Sequence, residues 1–332
     1  MKVFAEYIWL GGNNEIRSKL RVMDFDNISL NINDYPEWNY DGSSCNQADG
    51  NNSEVFIRPV FVCINPLEEN SVCVLCATYD YRGVSLPNNN WEFCNKAMIE
   101  FGDENPWFGL EQEYFIMDLK TGLPIGMPIN GHQGQYYCSN GGANAFGRKI
   151  VMEHLKVCVD AGLKISGINS EVAVGQWEFQ VGIAKGMEGP NHLWMARFFM
   201  ERISEKYNVR IDWNPKPVKG NWNGSGCHCN FSTEAMRNEG GYDVILDACK
   251  KMKETHMEHM FQYGEGNEER MTGIHETASY SDFNWGVANR GASVRIGNDV
   301  LMNQKGYFED RRPSSNCDPY LVCGLLVRTC CS

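Results

Sequence analysis

No apolar run in this 332-residue chain approaches the roughly 20 residues that a membrane-spanning helix needs. Positive charge is in short supply: 30 Lys and Arg stand against 42 Asp and Glu, a formal net charge of −12. That balance argues against nucleic-acid or anionic-membrane partners, which need basic surface. No glycine-rich stretch is followed by the Gly-Lys-Ser/Thr of a Walker loop. Internal repeats, low-complexity tracts and heptads are also missing. The opening residues, MKVFAEYIWLGG, pass straight into strand-like alternation without a basic leader or apolar signal core, so a cytoplasmic enzyme is expected.

Cysteine is plentiful, and the fourteen thiols are expected to be reduced. Cys73-Val-Leu-Cys76 has CxxC spacing but stands alone in an apolar run, and it reads as core. Cys227-His228-Cys229 is too tightly spaced to give three ligands to one tetrahedral zinc. His256 and His259 lie three apart in a helix-like segment and are expected on its surface face.

With 42% apolar and 22% charged residues, the chain has an ordinary globular composition and room for one large domain or two unequal ones. VFAEYIW, VFIRPVFVCI and VCVLCATY, punctuated by Asn, Gly, Asp and Pro, predict strands up to about residue 80. The polar stretch YDYRGVSLPNNN is the expected boundary between a small β-rich domain, 1–84, and a larger α+β domain, 85–332. Apolar periodicity predicts helices over 91–101, 144–162, 191–207 (with Asn191 as N-cap) and 241–262.

Six candidate metal ligands fall in four short segments between these helices. They are Glu111 and Glu113 in GLEQEY, Glu171 and Glu178 in INSEVAVGQWEFQ, His228 in NWNGSGCHCNFS, and Glu309 in KGYFEDRRP. Most of these acids are flanked by aromatic and aliphatic residues. Ionised carboxylates are costly to bury unless a cation meets them, and a pair of divalent metals is the simplest remedy. Strand alternation puts Gly109, Glu111, Glu113 and Phe115 on one face, with Phe108, Leu110, Tyr114 and Ile116 on the other. Glu171 and Glu178 would face opposite ways on one continuous strand, but Gly175 suggests a turn and a returning strand that brings them together. A solvated strand face would explain one acidic pair; two pairs shift the balance toward metal.

Lys219–Ser232 is a glycine-rich turn in which Gly220, Gly224 and Gly226 allow close backbone approach, while Asn221, Asn223 and Asn230 offer amides. Alone it is as readily a structural turn as a binding loop. Arg290, Arg295, Arg311 and Arg312 are planar donors suited either to phosphate oxygens or to surface salt bridges. Together, carboxylate clusters, arginines and a Gly/Asn loop point to phosphoryl transfer between metal-held anions.

GLEQEY, QWEFQ, KPVKGNWNGSGCH, NFST, HET, GVANRGASVRI and KGYFEDRRPSSNCDPY, with PEWNYDGSS before them, together resemble glutamine synthetase of the shorter, eukaryotic type (class II). The resemblance runs from about Tyr7 to Thr329. It implies an α+β fold: a small β-grasp-like N-terminal domain and a larger catalytic domain with a curved, mainly antiparallel sheet flanked by helices. It implies one metal at Glu113, Glu171 and Glu178 and another at Glu111, His228 and Glu309, with two or three Mg²⁺ or Mn²⁺ per active site. ATP, a co-substrate, is expected at Trp107, Glu111, Tyr137, Glu178, Asn230, Ser232, Arg290, Arg295 and Tyr307. Glutamate is expected at Asn221, Trp222, Gly224, Arg270, Arg290 and Arg311. Asp41 matches an ammonium-binding base and Glu276 a flap residue, and Arg290 and Arg311 complete the catalytic set.

The implied reaction condenses L-glutamate with ammonia through γ-glutamyl phosphate, releasing ADP and phosphate. Asp41 would come from a neighbouring subunit, in a homodecamer of two pentameric rings. The chain departs from the family in several places. A helical stretch that the family usually has before the YIW strand is not seen. The loop NGHQGQYYC is short and has Gln135 for a proline, Ile183 replaces a proline, and Gly291 a serine. None of these removes a ligand. Two other readings are a ligase for a bulkier amine, disfavoured by the intact Asp41 and Glu276, and an inactive relative, disfavoured by the complete ligand set.

Overall fold

The structure, a computed structural model, describes residues 1–128 and 133–332. Its contacts divide the chain into two compact units, Met1–Phe93 with Lys156–Leu163, and Cys94–Leu155 with Lys164–Ser332. The start of the NGHQGQYYC loop, up to residue 132, lies outside the described residues.

The first unit carries β1 (Lys2–Leu10), β2 (Ile16–Asp24), β3 (Trp38–Asp41), β4 (Glu54–Ile64) and β5 (Ser71–Tyr79) in a five-stranded sheet of order β2-β1-β5-β4-β3. β1 and β5 run parallel and the other neighbours antiparallel. Alternate residues of β1, Val3, Ala5, Tyr7 and Trp9, meet Ile57, Val72, Val74 and Cys76 in one core, as a period of two requires. Asp41 ends β3 and caps the 3₁₀ turn Gly42–Cys45, accepting from the Ser43 hydroxyl at 2.6 Å and the Ser43 N–H at 3.0 Å. Those bonds, the hydroxyl first, hold its carboxyl below the usual range, so it is ionised at neutral pH.

α1 (Trp91–Glu100) follows. The second unit then holds β6 (Trp107–Asp118), the first part of α2 (Arg148–Asp160, which passes into the first unit at Lys156), β7 (Ile165–Ser170), β8 (Gln176–Lys185), α3 (Glu188–Ser204), β9 (Val209–Asp212) and β10 (Cys227–Ser232). After these come α4 (Glu234–Arg237), α5 (Gly241–Glu254), α6 (His256–Gln262), β11 (Trp285–Val287), β12 (Val294–Ile296), α7 (Asn298–Asn303), β13 (Phe308–Asp310) and α8 (Pro319–Cys331). The eight-stranded, curved sheet has the order β11-β12-β13-β10-β6-β8-β7, with β9 pairing the far end of β6. Only β11 and β12 are parallel.

One face of this sheet is core. Phe108, Leu110, Tyr114 and Ile116 of β6 are buried on it, and rings meet at 5.4 Å (Phe108–Phe231), 5.6 Å (Phe231–Phe308) and 5.9 Å (Tyr114–Phe179). Gln112 shares that face and accepts from the buried Arg197 of α3 at 2.9 and 2.6 Å. Arg197 also donates to the carbonyls of Ser315 and Cys317, so one buried cation ties β6 to the segment after β13.

Several local expectations are corrected. The third helix begins at Glu188, and Asn191 is interior, accepting from the Tyr320 hydroxyl at 2.7 Å rather than capping. The stretch 241–262 breaks at Thr255 into α5 and α6. His256 and His259 are buried rather than on the surface, because both face Arg312. Arg312 itself is fully buried, with two 2.8 Å bonds to Asp310, and is not a free phosphate donor. Burial, then the charge of Arg312, push His259 down to about 3, which keeps it neutral. All fourteen cysteines are free, with Cys73 and Cys76 in core positions. Among the described residues, no helix is long and apolar enough to cross a membrane.

Candidate active site

The other face of the sheet gathers the acids by register. Glu111 of β6 lies opposite His228 of β10, and Glu113 opposite Glu178 of β8. Glu309 of β13 lies opposite Asn230 on one side and Arg295 of β12 on the other. The sixth group arrives through a turn. β7 and β8 form a hairpin in which the Glu171 N–H meets the Gln176 carbonyl at 2.9 Å. Gly175 has a φ of +69° there, and a Cβ would sit 2.9 Å from the Ile125 carbonyl oxygen, so glycine is required.

Two triads result, Glu113/Glu171/Glu178 and Glu111/His228/Glu309. Within each, one ligand atom per residue lies within 4.8 Å of the others. Both line one cavity of about 350 Å³, together with Tyr137, Arg270, Glu276, Arg290, Arg295 and Arg311. The first triad is short of positive charge. Burial, then the neighbouring carboxylates Glu111 and Glu113, push Glu178 up to about 9. Burial, then Glu113, push Glu171 up to about 8. Their remaining partners are neutral donors: Gly226 N–H to Glu113 at 2.6 Å, Asn169 to Glu171 at 2.8 Å and Gln180 to Glu178 at 2.6 Å. Such a cluster must take up protons or a cation.

The second triad is better compensated. Arg311 reaches Glu309 at 2.5 Å and Arg295 at 3.3 Å, and the His228 Nδ1 lies 3.4 Å from both Glu111 and Glu309. Burial would raise the Glu111 carboxyl, but His228, Asn230 and Arg311 together bring it below its usual value. Five carboxylates and one imidazole make an oxygen-rich donor set, which fits hard cations such as Mg²⁺ or Mn²⁺.

Cations and glycines close the cavity. Arg270 is buried and donates to Asn267 at 2.9 Å and to the Arg312 carbonyl at 2.7 Å. Burial lowers it to about 10, so it stays charged at neutral pH. Arg290 pairs with Glu276 at 2.5 Å, and Arg311 donates to the Glu276 carbonyl at 3.3 Å. A Cβ on Gly226 would lie 2.8 Å from Arg270 Nη1 and 3.0 Å from His228 Nε2. Gly226→Ala is therefore expected to weaken Mn²⁺ binding by about 10- to 100-fold, the usual effect of moving a ligand's supports. Calorimetric titration would check this, and unchanged affinity would mean that the loop yields.

A second cavity, of about 590 Å³, is lined by Trp107, Asn230, Ser232, Arg237 and Tyr307 and shares Glu111 and Gln180 with the first. The Arg237 guanidinium stacks 3.9 Å over Trp107 and donates to both oxygens of Ser232 at 2.9 Å. Tyr137, Glu178, Arg290 and Arg295, expected beside ATP, line the first cavity. Asn221 and Trp222 line neither: Asn221 opens on a separate hollow with Lys216 and Lys219, and Trp222 packs near Phe115 and Met117. Asp41 belongs to the first unit, and both cavities are lined by the second. Sequence reasoning missed Asn169, Gln176, Gln180, His275 and Thr277 in the first cavity. Two of these were within reach, since Gln176 and Gln180 lie two residues either side of Glu178 and must share its face.

Residues 95–264 match the family model for the glutamine synthetase catalytic domain. The cytosolic glutamine synthetase isozyme of Pinus sylvestris is 49% identical, covering 99% of this chain and 93% of its own length. Glutamine synthetase PR-1 of Phaseolus vulgaris is 48% identical, covering 99% of this chain and 94% of its own. The cryo-EM structure of Plasmodium falciparum glutamine synthetase aligns with a TM-score of 0.78 over 99% of this chain and 71% of its own, at 15% identity, a likeness of fold.

Proposed function

This chain belongs to the glutamine synthetase family, and from that premise we propose that it condenses L-glutamate with ammonia, using ATP, through γ-glutamyl phosphate. The observation that carries the reading is the pair of ligand triads, set where an arginine-rich cavity adjoins an aromatic-walled one. Carboxylate and ammonium do not condense directly, because the leaving group is poor and ammonium has no lone pair. The glutamate γ-carboxylate instead attacks the γ-phosphorus of ATP; an O–P bond forms, the β–γ bond breaks and ADP leaves. Ammonia then attacks the acyl carbon, a C–N bond forms and phosphate departs.

Each group has an assigned task in this scheme. Glu113, Glu171 and Glu178 would hold one Mg²⁺ or Mn²⁺, and Glu111, His228 and Glu309 another; such ions supply charge neutralisation during phosphoryl transfer. Arg295 and Arg311, already drawn to Glu309, would counter charge on the transferring group. Trp107, Asn230, Ser232 and Tyr307 would take the nucleotide. Gly224, Arg270 and Arg290 would orient glutamate, with Asn221 and Trp222 shaping the loop behind it. Asp41, ionised and supplied by a neighbouring subunit of a homodecamer, would attract ammonium and accept its proton beside Glu276. This division of labour goes with an N-terminal domain over 1–84, a catalytic domain over 85–332, and a cytoplasmic setting.

Purified protein with Mg²⁺, ATP, glutamate and ammonium should release phosphate in an ammonium-dependent manner; none released would remove the ligase reading. Asp41→Ala should raise the apparent KM for ammonium by about 10- to 100-fold, the worth of a hydrogen bond to a charged group. The KM for glutamate should move little. Steady-state kinetics with an unchanged ammonium KM would take Asp41 out of that role.

A further inference from the structure

An acyl phosphate survives only if water is kept from it, and Gln133 stands where three loops meet above the first cavity. It does not line the cavity, but its partners do. Its side-chain oxygen accepts from the backbone N–H of Asn223, in the glycine-rich loop. Its amide nitrogen lies 3.3 Å from Nδ1 of His275, next to Glu276. The following residue, Gly134, donates its N–H to the Val172 carbonyl at 2.8 Å, which anchors the junction beside Glu171.

These bonds determine where the protons lie. A backbone N–H can only donate, so the Gln133 oxygen must face Asn223 and its NH₂ must face His275. Nδ1 of His275 is then the acceptor, and the neutral ring carries its proton on Nε2. Among the described residues Nε2 has no partner, so the bond from Gln133 is the one hydrogen bond holding this ring. Burial, then the charge of Lys216, keep the imidazole neutral, against the pull of Glu276. His275 and Glu276 both have positive φ, 55° and 63°, so they form a bend with two hooks. The Glu276–Arg290 pair holds one side of the bend, and Gln133 holds the other.

We propose that Gln133 is a positioning residue that clasps the bend at His275–Glu276 to the glycine-rich loop and so keeps water from the acyl phosphate. The inference rests on the ligase reading. Its test is the ratio of phosphate released to glutamine formed, at saturating substrates. Wild-type protein should give a ratio near one. Gln133→Ala and His275→Phe should each raise water's share relative to ammonia's by about fivefold, the population shift that one neutral hydrogen bond is worth. The double variant should be no worse than the worse single, because both break one link. A merely structural role would lower both products together and leave the ratio alone. Single variants whose excess of phosphate over glutamine matches that of wild type, or a double variant with additive effects, would overturn the clasp. Wild-type protein without ammonium-dependent phosphate release would instead overturn the ligase reading.

Discussion

Glu309→Gln should lower turnover by about 10²- to 10³-fold, the usual loss when a charge-stabilising group is removed from a reacting centre. The carboxylate is the meeting point of three cationic or cation-capable groups: Arg311 at 2.5 Å, Arg295 at 3.3 Å and His228 at 3.4 Å. Glutamine preserves its shape but not its charge, and it turns one of the two accepting oxygens into an N–H donor that faces a cation. The second triad then has one carboxylate, Glu111, facing an imidazole and two guanidiniums, and its affinity for a divalent cation drops. Glu309→Ala should be no better in turnover and worse in stability, because it also opens a hole beside the buried Arg311. Stopped-time phosphate assays and melting curves on both variants separate the two effects. Retention of more than a tenth of wild-type activity by Glu309→Gln would show that the charge at 309 is not what the reaction uses.

How far the sequence discloses such a site depends on periodicity. The strand β6 was legible because its two faces differ in chemistry: glycine and acids at 109, 111 and 113, aromatics and aliphatics at 108, 110, 114 and 116. Gly175 marked the turn that returns Glu178 to the side of Glu171. The long strands β1, β4 and β5 were legible from β-branched and aromatic runs. β2 was not, because its IRSKLRVMD sequence alternates charged with apolar residues and much of it is exposed. β9, β11, β12 and β13 run for only three or four residues each, too short to show any period. Their places follow from tertiary pairing with longer strands.

The residues misjudged from sequence alone share a physical cause: polar groups whose partners are distant in the chain. His256 and His259 look like a solvated helix face until Arg312, more than fifty positions later, is set against them. Arg311 and Arg312 look equivalent in EDRRP, yet alternation at the end of β13 sends Arg311 to the cavity with Glu309 and Arg312 to the core with Asp310. Asn191 looks like a cap because nothing nearby reveals Tyr320. Propensity describes what a residue does locally, and each of these is settled by a contact across the fold.

Removing divalent ions should make the protein progressively less stable as pH rises from about 5 to about 9. Glu171 and Glu178 have ordinary values near 4.5 and are raised to about 8 and about 9 in the metal-free fold, burial being the first cause and carboxylate repulsion the second. A raised carboxyl means that the folded state holds its proton where the unfolded chain has lost it. The contribution is therefore fully present below about 4.5 and is lost as pH climbs through the folded values. A bound cation reverses the balance, because it needs the ionised carboxylates. At pH 7 each ion entering the Glu113/Glu171/Glu178 triad must expel protons, so its apparent affinity should rise between about 10- and 100-fold per pH unit below pH 8, for one or two protons displaced. Calorimetric Mg²⁺ titrations in two buffers of different ionisation enthalpy would read the proton count directly. The paired expectation is that Mg²⁺ raises the melting temperature more at pH 8 than at pH 6. Binding heats that ignore the buffer, with a pH-independent affinity, would mean that the triad is already ionised and that some other cation, such as Arg270, neutralises it.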